Sequence, residues 1–167
     1  MLIYFRPKLI LPKTTAEKIA DIIGIGALLI AILYLIMSWS SLPLEVPAHY
    51  GIGGEVDRWG SKYELLLLPV IGCFLHLILN FAEKRPHTHN YPDRLNESNV
   101  EAFYTHSRKM LNYTKNICNI LFAYITWRTV LIGLGQVEGL GMIPFTSILI
   151  ALFVVIGWGI FKSVKIK

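Results

Sequence analysis

Four long apolar runs constrain the fold of this chain more than any other feature of its sequence. They are residues 19–39, 63–82, 117–135 and 142–161. Each run is close to the roughly 20 residues that a helix needs to cross the hydrocarbon core of a bilayer. None shows the two-residue alternation of barrel strands, and in lipid only helices or closed barrels satisfy their backbone groups. The runs predict an all-α, four-helix integral membrane bundle.

Composition supports this prediction. Of the 167 residues, 54% are hydrophobic and 16% are charged, whereas charged residues usually make up about 25% of a soluble domain. Both cysteines, Cys73 and Cys118, lie in apolar runs, where a thiol behaves as a small apolar residue. No disulfide framework is therefore indicated. The first run is long for a signal peptide and no small-residue cleavage site follows it, so residues 1–167 are expected to form a single membrane domain.

The distribution of Lys and Arg predicts the orientation of the bundle. Cationic residues are concentrated before the first run, between the second and third runs, and in the C-terminal tail. The first connection holds only Arg58 and Lys62, and the third connection holds none. Because cytoplasmic loops carry the excess of Lys and Arg, both termini are expected in the cytoplasm and the first connection outside. The lipid bilayer is the expected partner. Nucleic acid is not, because no basic stripe is interleaved with aromatics.

The connection at residues 42–62 holds most of the unusual chemistry of the chain. It reads LPLEVPAHYGIGGEVDRWGSK and is rich in proline and glycine, which predicts a polar, non-helical loop on one face of the membrane. Residues 57–61 are expected to form a turn that leads into the second helix. Ser61 and Glu64 have the spacing of a capping box at the start of that helix.

Three side chains in this loop, His49, Glu55 and Asp57, have the donor types of a metal site. Their spacing, H-x5-E-x-D, matches no strong metal signature. The alternative is that the carboxylates cap turns and pair with Arg58 or Lys62, while His49 bonds to the loop backbone. The loop pairs no nucleophile with a base, so the sequence predicts neither an enzyme nor a cofactor.

Two polar residues stand within the apolar runs. Arg128 either ties the outer loop to the bundle, through Glu64 or the loop itself, or extends its long side chain towards the membrane surface. His76 is expected to form a hydrogen bond to a helix backbone or to a neighbouring helix. A proton relay would need a series of acids, and the runs hold too few.

The remaining connections predict how the last two helices begin and pack. Ser98 and Glu101 have the spacing of a second capping box. Apolar residues follow at helical spacing, so an amphipathic helix is expected to start here and to continue without a break into the third run. The third connection is short, which predicts that the third and fourth helices are antiparallel neighbours.

The outer loop also carries a family motif. Its residues are Leu42, Pro43, Val46, Pro47, Ala48, His49, Tyr50, Gly54, Asp57, Trp59, Gly60, Ser61 and Lys62. With this motif the chain resembles a bacterial membrane family, domain-of-unknown-function family 1648, over about residues 25–70. Members have a helix, then LP-x-x-[IV]-P-x-H-[FY], then G-x-x-D-x-[WY]-G-S-K, then a second helix. The resemblance implies a multi-pass protein of the bacterial cytoplasmic membrane.

The resemblance extends to SdpI-like immunity proteins, which protect a cell from a secreted toxic peptide and relay its presence to a regulator. It implies a binding or signalling protein whose partners are an extracellular peptide or envelope component and a cytoplasmic regulator. The ligand-binding residues would be Pro43, Pro47, His49, Gly54, Asp57, Gly60, Ser61, Lys62 and Arg128. Immunity members carry a further helical domain that this chain does not show.

Two other functions stay open at this stage. One is a metal-binding membrane protein or enzyme that uses His49, Glu55 and Asp57. The other is a structural or transporter-associated subunit whose helices pack against a partner. The scarcity of acids in the apolar runs argues against ion-coupled transport by this chain alone.

Overall fold

The computed structural model of the protein describes residues 6–167, which form four long helices and one small sheet. Two short 3₁₀ helices, Lys62–Leu66 and Pro86–Thr88, complete the elements of this part of the chain. The helices and strands, in chain order, are α1 (Thr15–Ser38), β1 (Glu45–Tyr50), β2 (Val56–Ser61), α2 (Leu67–Glu83), α3 (Val100–Gly133) and α4 (Met142–Lys165).

The prediction of four helices is confirmed, and three of them are long and apolar enough to cross a membrane. These are Thr15–Ser38, Lys62–Glu83 and Met142–Lys165, and they indicate a membrane protein. The predicted run at 117–135 lies in α3 and is not among the three. α3 is less apolar than the other helices because buried asparagines and threonines lie along its length.

α3 is the central helix and packs against α1, α2 and α4. It contains 34 residues and is about 51 Å long at 1.5 Å per residue, which exceeds the roughly 30 Å of a hydrocarbon core. Two glycines permit close approach to it. A Cβ on Gly24 of α1 would lie 2.9 Å from the Asn116 Cα, and one on Gly159 of α4 would lie 2.8 Å from the Met110 Cγ.

The expected unbroken helix through the second connection and the third run is confirmed, but the expected capping residue is wrong. α3 begins at Val100 after Asn99, without a side-chain cap. Ser98 instead donates its backbone N–H and its hydroxyl to Asn96 Oδ1, at 2.8 and 2.6 Å. The nearby asparagine thus takes both donors of Ser98 in a local turn. The predicted contact of the third and fourth helices is also confirmed.

The all-α prediction is wrong for residues 42–62, where β1 and β2 form an antiparallel hairpin. Glu45 pairs with Ser61 and Val46 pairs with Gly60. Residues 57–61, expected as a turn, belong to β2, and the actual turn lies at residues 51–54, where Gly54 has a φ of 78°. Val46 is fully buried against Leu35, Leu42, Leu65 and Val130. The adjacent Pro47 is buried as well, so β1 packs into the bundle through its middle residues, and this packing together with the pairing to β2 explains why the segment is extended.

The capping box of Ser61 and Glu64 is confirmed. The Ser61 hydroxyl accepts a hydrogen bond from the Tyr63 N–H, and Glu64 accepts one from the Ser61 N–H. The box starts the short helix Lys62–Leu66 rather than α2 itself. The hairpin is thereby joined to α2 without a flexible linker.

The N-terminal arm (residues 6–14), residues 84–99 and the C-terminal turn of α4 meet at one end of the bundle. Arg94 donates to the carbonyls of Ser163, Val164 and Ile166 at 2.8–3.1 Å. Arg6 donates to the carbonyl of His89. We call this the arm end and the opposite one the hairpin end. Only Arg58, Lys62 and Arg128, among the Lys and Arg residues of 6–167, belong to the hairpin end.

Candidate functional site

The hairpin is fixed to the rest of the bundle by contacts from β1 and from the turn. The Tyr50 hydroxyl lies 2.6 Å from the Thr129 hydroxyl of α3, and Thr129 in turn donates to the Ile125 carbonyl at 2.8 Å. Burial raises the pKa of the Tyr50 phenol, so this group stays protonated and can donate. The Leu140 N–H donates to the Gly54 carbonyl at 2.9 Å.

A cleft of about 440 Å³ lies between this hairpin and the helices. Its walls come from β1, the Lys62–Leu66 helix, α2, α3 and the start of α4. Charged or ionisable side chains at one side of the cleft are His49, Arg58 and Glu64. The apolar lining includes Leu65, Leu67, Leu68, Ile71, Ile125, Leu140 and Phe145. The cleft therefore offers polar groups and an apolar surface to the same ligand.

His49 and Asp57 form the most accessible polar pair of the cleft region. His49 Nδ1 lies 2.6 Å from Asp57 Oδ1, and the two side chains are 67% and 44% exposed. A carboxylate only accepts, so Nδ1 carries the proton. Nε2 of the neutral ring is then an acceptor, and it becomes a donor when the ring is protonated. Asp57 thus orients an imidazole that can serve either kind of ligand group.

Arg58 and Glu64 form a second pair beside the first. The guanidinium donates to Glu64 Oε2 at 3.0 Å and to the Ala48 carbonyl at 3.2 Å. Gly60 leaves the space into which Glu64 folds, since a Cβ at this position would meet Glu64 Oε1. The capping box and the Arg58 bond therefore hold the Glu64 carboxylate in one place at the cleft.

The predicted ligand-binding residues occupy different positions around this cleft. Pro47 and His49 line it, and Asp57 contacts it through His49. Gly54 forms the turn and Pro43 is exposed in the link between α1 and β1. Gly60 and Ser61 position Glu64, as described above.

Lys62 and Arg128 contact other parts of the protein. Lys62 Nζ lies 5.1 Å from the centre of the Trp39 ring. Arg128 donates from Nε to the Gly139 carbonyl at 3.0 Å, and Gly139 forms a β-bridge with Glu55. Arg128 therefore secures the α3–α4 connection, which pairs with the hairpin turn. Glu64, its other expected partner, bonds to Arg58 instead.

The three potential metal ligands are not brought together. His49 and Asp57 bond to each other, and the Glu55 carboxylate folds over the turn beside Gly51 and Gly53. Within residues 6–167, no three His, Cys, Asp or Glu side chains are placed to hold a metal ion.

Several residues of the cleft were missed by the sequence reasoning. Tyr50, Thr129 and Phe145 come from three separate elements, and a single sequence gives no sign that they meet. Arg58 was expected only as a partner of the loop carboxylates. The alternation of Val46, Ala48 and Tyr50 with Pro47 and His49 was the one available signal for a strand, and the Pro and Gly content masked it.

The arm end contains a second, buried cluster of charges. Arg108 of α3 donates to both carboxylate oxygens of Glu17 at 3.0 and 3.1 Å, and to the Leu11 carbonyl at 2.6 Å. The side chains of Arg108 and Glu17 are 5% and 0% exposed. A buried ion pair thus joins α1 to α3, and the same arginine binds the N-terminal arm through the Leu11 carbonyl.

The cluster continues towards α2. Lys115 lies 2.6 Å from Glu83 and 2.9 Å from Asp21, and Lys13 of the arm lies 2.6 Å from both of these carboxylates. Asn112 donates to Asp21 and to Glu83. Burial lowers the pKa of the Lys13 amine, but its hydrogen bonds to Asp21 and Glu83 outweigh burial and the pKa is raised. We call Lys13, Glu17, Asp21, Glu83, Arg108 and Lys115 the charge cluster.

Three carboxylates and three cations make up the charge cluster, so it carries no net charge. His76 lies close to it and forms the expected bond to a neighbouring helix, 2.9 Å from Asn119 Nδ2. The sequence showed too few acids within the apolar runs for such a cluster. The acids come instead from the ends of α1 and α2, which α3 brings together.

One comparison with known proteins concerns the segment that builds the hairpin. Residues 26–73 match the model of a family described as Domain of unknown function (DUF1648). This segment covers most of α1, the hairpin and the start of α2.

A relative was found in Archaeoglobus fulgidus (strain ATCC 49558 / DSM 4304 / JCM 9628 / NBRC 100126 / VC-16), described as an uncharacterized protein. It is 35% identical over 101 residues, which cover 59% of this chain and 54% of the relative. The chain thus matches about half the length of that relative. No solved structure matched. The family resemblance predicted from the 42–62 motif is thereby confirmed for residues 26–73, the segment that matches the Domain of unknown function (DUF1648) model.

Proposed function

We propose that this membrane protein binds an amphiphilic peptide or envelope component in the cleft between the hairpin and the helices. The observation that carries the proposal is the combination of an apolar lining with His49, Arg58 and Glu64 in one cleft of about 440 Å³. Ligand sites are typically concave and largely apolar, with a few placed polar groups that fix orientation.

Because the polar groups of the cleft are exposed, they are better suited to ligand recognition than to stabilising the fold. Exposed ion pairs contribute about 0–1 kcal/mol to folding, and the His49–Asp57 and Arg58–Glu64 pairs are both exposed. A ligand carboxylate would accept from Arg58 or from protonated His49, and a ligand amine would donate to Glu64. An apolar side chain or acyl chain of the same ligand would lie against Leu68 and Ile71.

The resemblance to SdpI-like immunity proteins suggests the biological context. In that context the ligand is a secreted toxic peptide, and binding protects the cell or signals to a regulator on the other side of the membrane. Sequestration needs no catalytic group, which suits a cleft that pairs no nucleophile with a base. The proposed location is the bacterial cytoplasmic membrane, with the hairpin end outside because the arm end holds most of the Lys and Arg.

We also propose that α3 crosses the membrane as a fourth span. The N-terminal arm and the C-terminal turn of α4 lie at the same end of the bundle, which three crossings would not allow. α3 runs from the arm end to the hairpin end and is covered by α1, α2 and α4. Its polar side chains are buried among these helices, as expected of polar groups within a membrane.

Cysteine labelling tests the orientation. Ile52→Cys introduces a thiol at the fully exposed tip of the hairpin, and the matched position Lys84→Cys lies at the arm end; both variants also carry Cys73→Ala and Cys118→Ala. A membrane-impermeant maleimide added to intact cells should label position 52 and spare position 84. The reverse pattern would place the hairpin in the cytoplasm and contradict the proposal.

A protection assay tests the binding function. The chain is expressed in a peptide-sensitive bacterium and challenged with a panel of amphiphilic bacteriocin peptides, and the minimal inhibitory concentration is measured. We expect a peptide whose inhibitory concentration rises at least fourfold with the wild type and returns to the vector level with His49→Ala or Asp57→Ala. Membrane fractionation should show equal insertion. Unchanged protection in both variants would exclude the cleft.

Glu55→Ala is the matched control, because it removes an exposed carboxylate of the same hairpin that does not line the cleft. Under the proposed function this variant protects like the wild type. Under the metal alternative Glu55→Ala loses protection, as His49→Ala and Asp57→Ala do, and elemental analysis of the purified wild type finds stoichiometric metal. The two functions are therefore separated by one additional variant and one measurement.

A further inference from the structure

At the arm end, α3 and α4 leave a basic recess of about 820 Å³. Lys109 of α3 and Lys162 and Lys165 of α4 line it, together with one acid, Glu101. None of these three lysines is in an ion pair with a carboxylate of residues 6–167. Lys162 and Lys165 lie over the rings of Trp158 and Phe161, at 5.3 and 4.2 Å from the ring centres. The recess therefore has a surplus of uncompensated positive charge.

An apolar groove of about 320 Å³ continues from this recess along the two helices. It shares His106, Lys109 and Lys162 with the recess, and its apolar lining is formed by Met110, Tyr113, Val155 and Trp158. Charge is thus concentrated at the helix ends, and the apolar part extends towards the middle of the α4 span. We call the recess and the groove together the α3–α4 groove.

The floor of the α3–α4 groove is fixed by a close helix contact. His106 Nε2 donates to the Gly159 carbonyl at 2.7 Å. Met110 packs directly on Gly159, where a Cβ would meet its side chain. These contacts hold the helices together beneath the groove.

We propose that the α3–α4 groove binds an anionic phospholipid. Its phosphate would lie among Lys109, Lys162 and Lys165, and one acyl chain would lie along Met110, Val155 and Trp158. Basic pockets between membrane helices bind anionic headgroups in this way. Lysines near helix ends extend to the headgroup level, and Trp is enriched there. The site is separate from the hairpin cleft, at the opposite end of the bundle.

Native mass spectrometry of the purified full-length chain tests this site. The protein is released from detergent micelles that contain equal amounts of phosphatidylglycerol and phosphatidylcholine, and the retained lipid is identified. We expect preferential retention of one phosphatidylglycerol. The variant Lys109→Gln/Lys162→Gln/Lys165→Gln should weaken this retention about a hundredfold, because each of the three lysines near an anionic headgroup is worth about 1 kcal/mol, a roughly fivefold change.

The matched control is Lys8→Gln/Lys18→Gln/Lys84→Gln, which removes the same charge from exposed positions at the same end. Retention should stay within twofold of the wild type. An equal loss in both triple variants would mean that the lipid follows overall charge, and it would overturn the proposal.

Val155→Trp tests the apolar half of the site and does not depend on the lysine variants. Val155 is half-buried and lines the groove, so the larger side chain fills it and should reduce retention of phosphatidylglycerol at least fivefold, with circular dichroism unchanged. Retention equal to the wild type would show that no chain lies in the groove. Displacement of the lipid by millimolar glycerol 3-phosphate would show a site for free anions. Either result would overturn the proposal.

Discussion

The two ends of the bundle use charged residues in opposite ways. At the hairpin end, the paired side chains of His49 and Asp57 are 67% and 44% exposed. At the arm end, those of Lys115 and Glu83 are each 1% exposed. The distances within the two pairs are the same, 2.6 Å. The difference in burial therefore decides what each pair contributes.

Because its charges are buried, the arm end is a structural element. Because its charged pairs are exposed, the hairpin end is available for ligands. A charged group that is removed from water must be compensated by opposite charges and hydrogen bonds. Removal of one partner of a buried pair therefore lowers the free energy of unfolding by about 3–5 kcal/mol. The charge cluster supplies this compensation with three carboxylates and three cations, reinforced by Asn112 and Asn116. The exposed pairs at the cleft can exchange their partners for water or ligand at little cost.

The strongest test of this comparison is Arg108→Met. The substitution keeps much of the side-chain volume but leaves Glu17 buried without its cation. We expect the free energy of unfolding to fall by about 3–5 kcal/mol, measured by reversible titration with sodium dodecyl sulfate in mixed micelles. A loss below about 1 kcal/mol, as for an exposed pair, would remove the distinction between the two ends.

The control for this variant is Glu17→Gln/Arg108→Met. Glutamine preserves the capping box that Glu17 forms with Thr14, and it removes the uncompensated charge. We expect this double variant to recover more than half of the stability lost by Arg108→Met. No recovery would show that Arg108 acts through packing or through its bond to Leu11 rather than through charge.

Gly24→Ala tests the packing that encloses the charge cluster. A Cβ at Gly24 would lie 2.8 and 2.9 Å from the Asn116 Cβ and Cα, so Asn116 must shift and its bond to Asp21 must weaken. We expect a loss of about 1–3 kcal/mol in the same titration. Gly26→Ala is the matched control because no atom lies within 4 Å of a Cβ there. It should be neutral or stabilise α1 by up to about 1 kcal/mol. Equal effects would contradict close α1–α3 packing.

At the hairpin end, the largest expected effect comes from Tyr50→Phe. It removes the bond between Tyr50 and Thr129, and a neutral hydrogen bond contributes about 1 kcal/mol. The loss should appear as faster hydrogen exchange of hairpin amides, such as the Gly51 N–H bonded to Glu55. Tyr63→Phe is the control, because Tyr63 is 66% exposed. Similar exchange in both variants would mean that Tyr50 does not hold the hairpin.

The number and approximate position of the helices could be predicted because apolar length is a local property of the sequence. α1 begins four residues before the predicted run and α4 ends four residues after it, because charged residues extend these helices past the apolar runs; the start of α4 agrees with the prediction and α1 ends one residue early. The hairpin could not be predicted in the same way. Its strands are short, and residues typical of turns are spread over 51–60 although the turn itself lies at 51–54. Only contact with Leu35 and Val130 shows that Val46 faces a core.

The charge cluster was beyond sequence reasoning for a different reason. Asp21 and Glu83 are read from the sequence as ordinary residues near helix ends, and Arg108 and Lys115 as part of a polar connection. Only the continuation of α3 across the bundle brings them together. Likewise, the cleft combines Tyr50, Thr129 and Phe145 from distant segments. A single sequence identifies such residue types but not their contacts.

The smallest expected change in stability is that of Asp57→Asn. It removes the charge of an exposed pair while keeping the shape of the side chain, so the free energy of unfolding should change by less than about 0.5 kcal/mol. The control Glu45→Gln removes an exposed acid from the neighbouring strand and should behave alike in the same titration. Under the proposed function, Asp57→Asn alone also loses protection against the peptide. A stability loss above about 2 kcal/mol, well beyond the range of surface substitutions, would mean that the hairpin end, like the arm end, depends on its ion pair to fold.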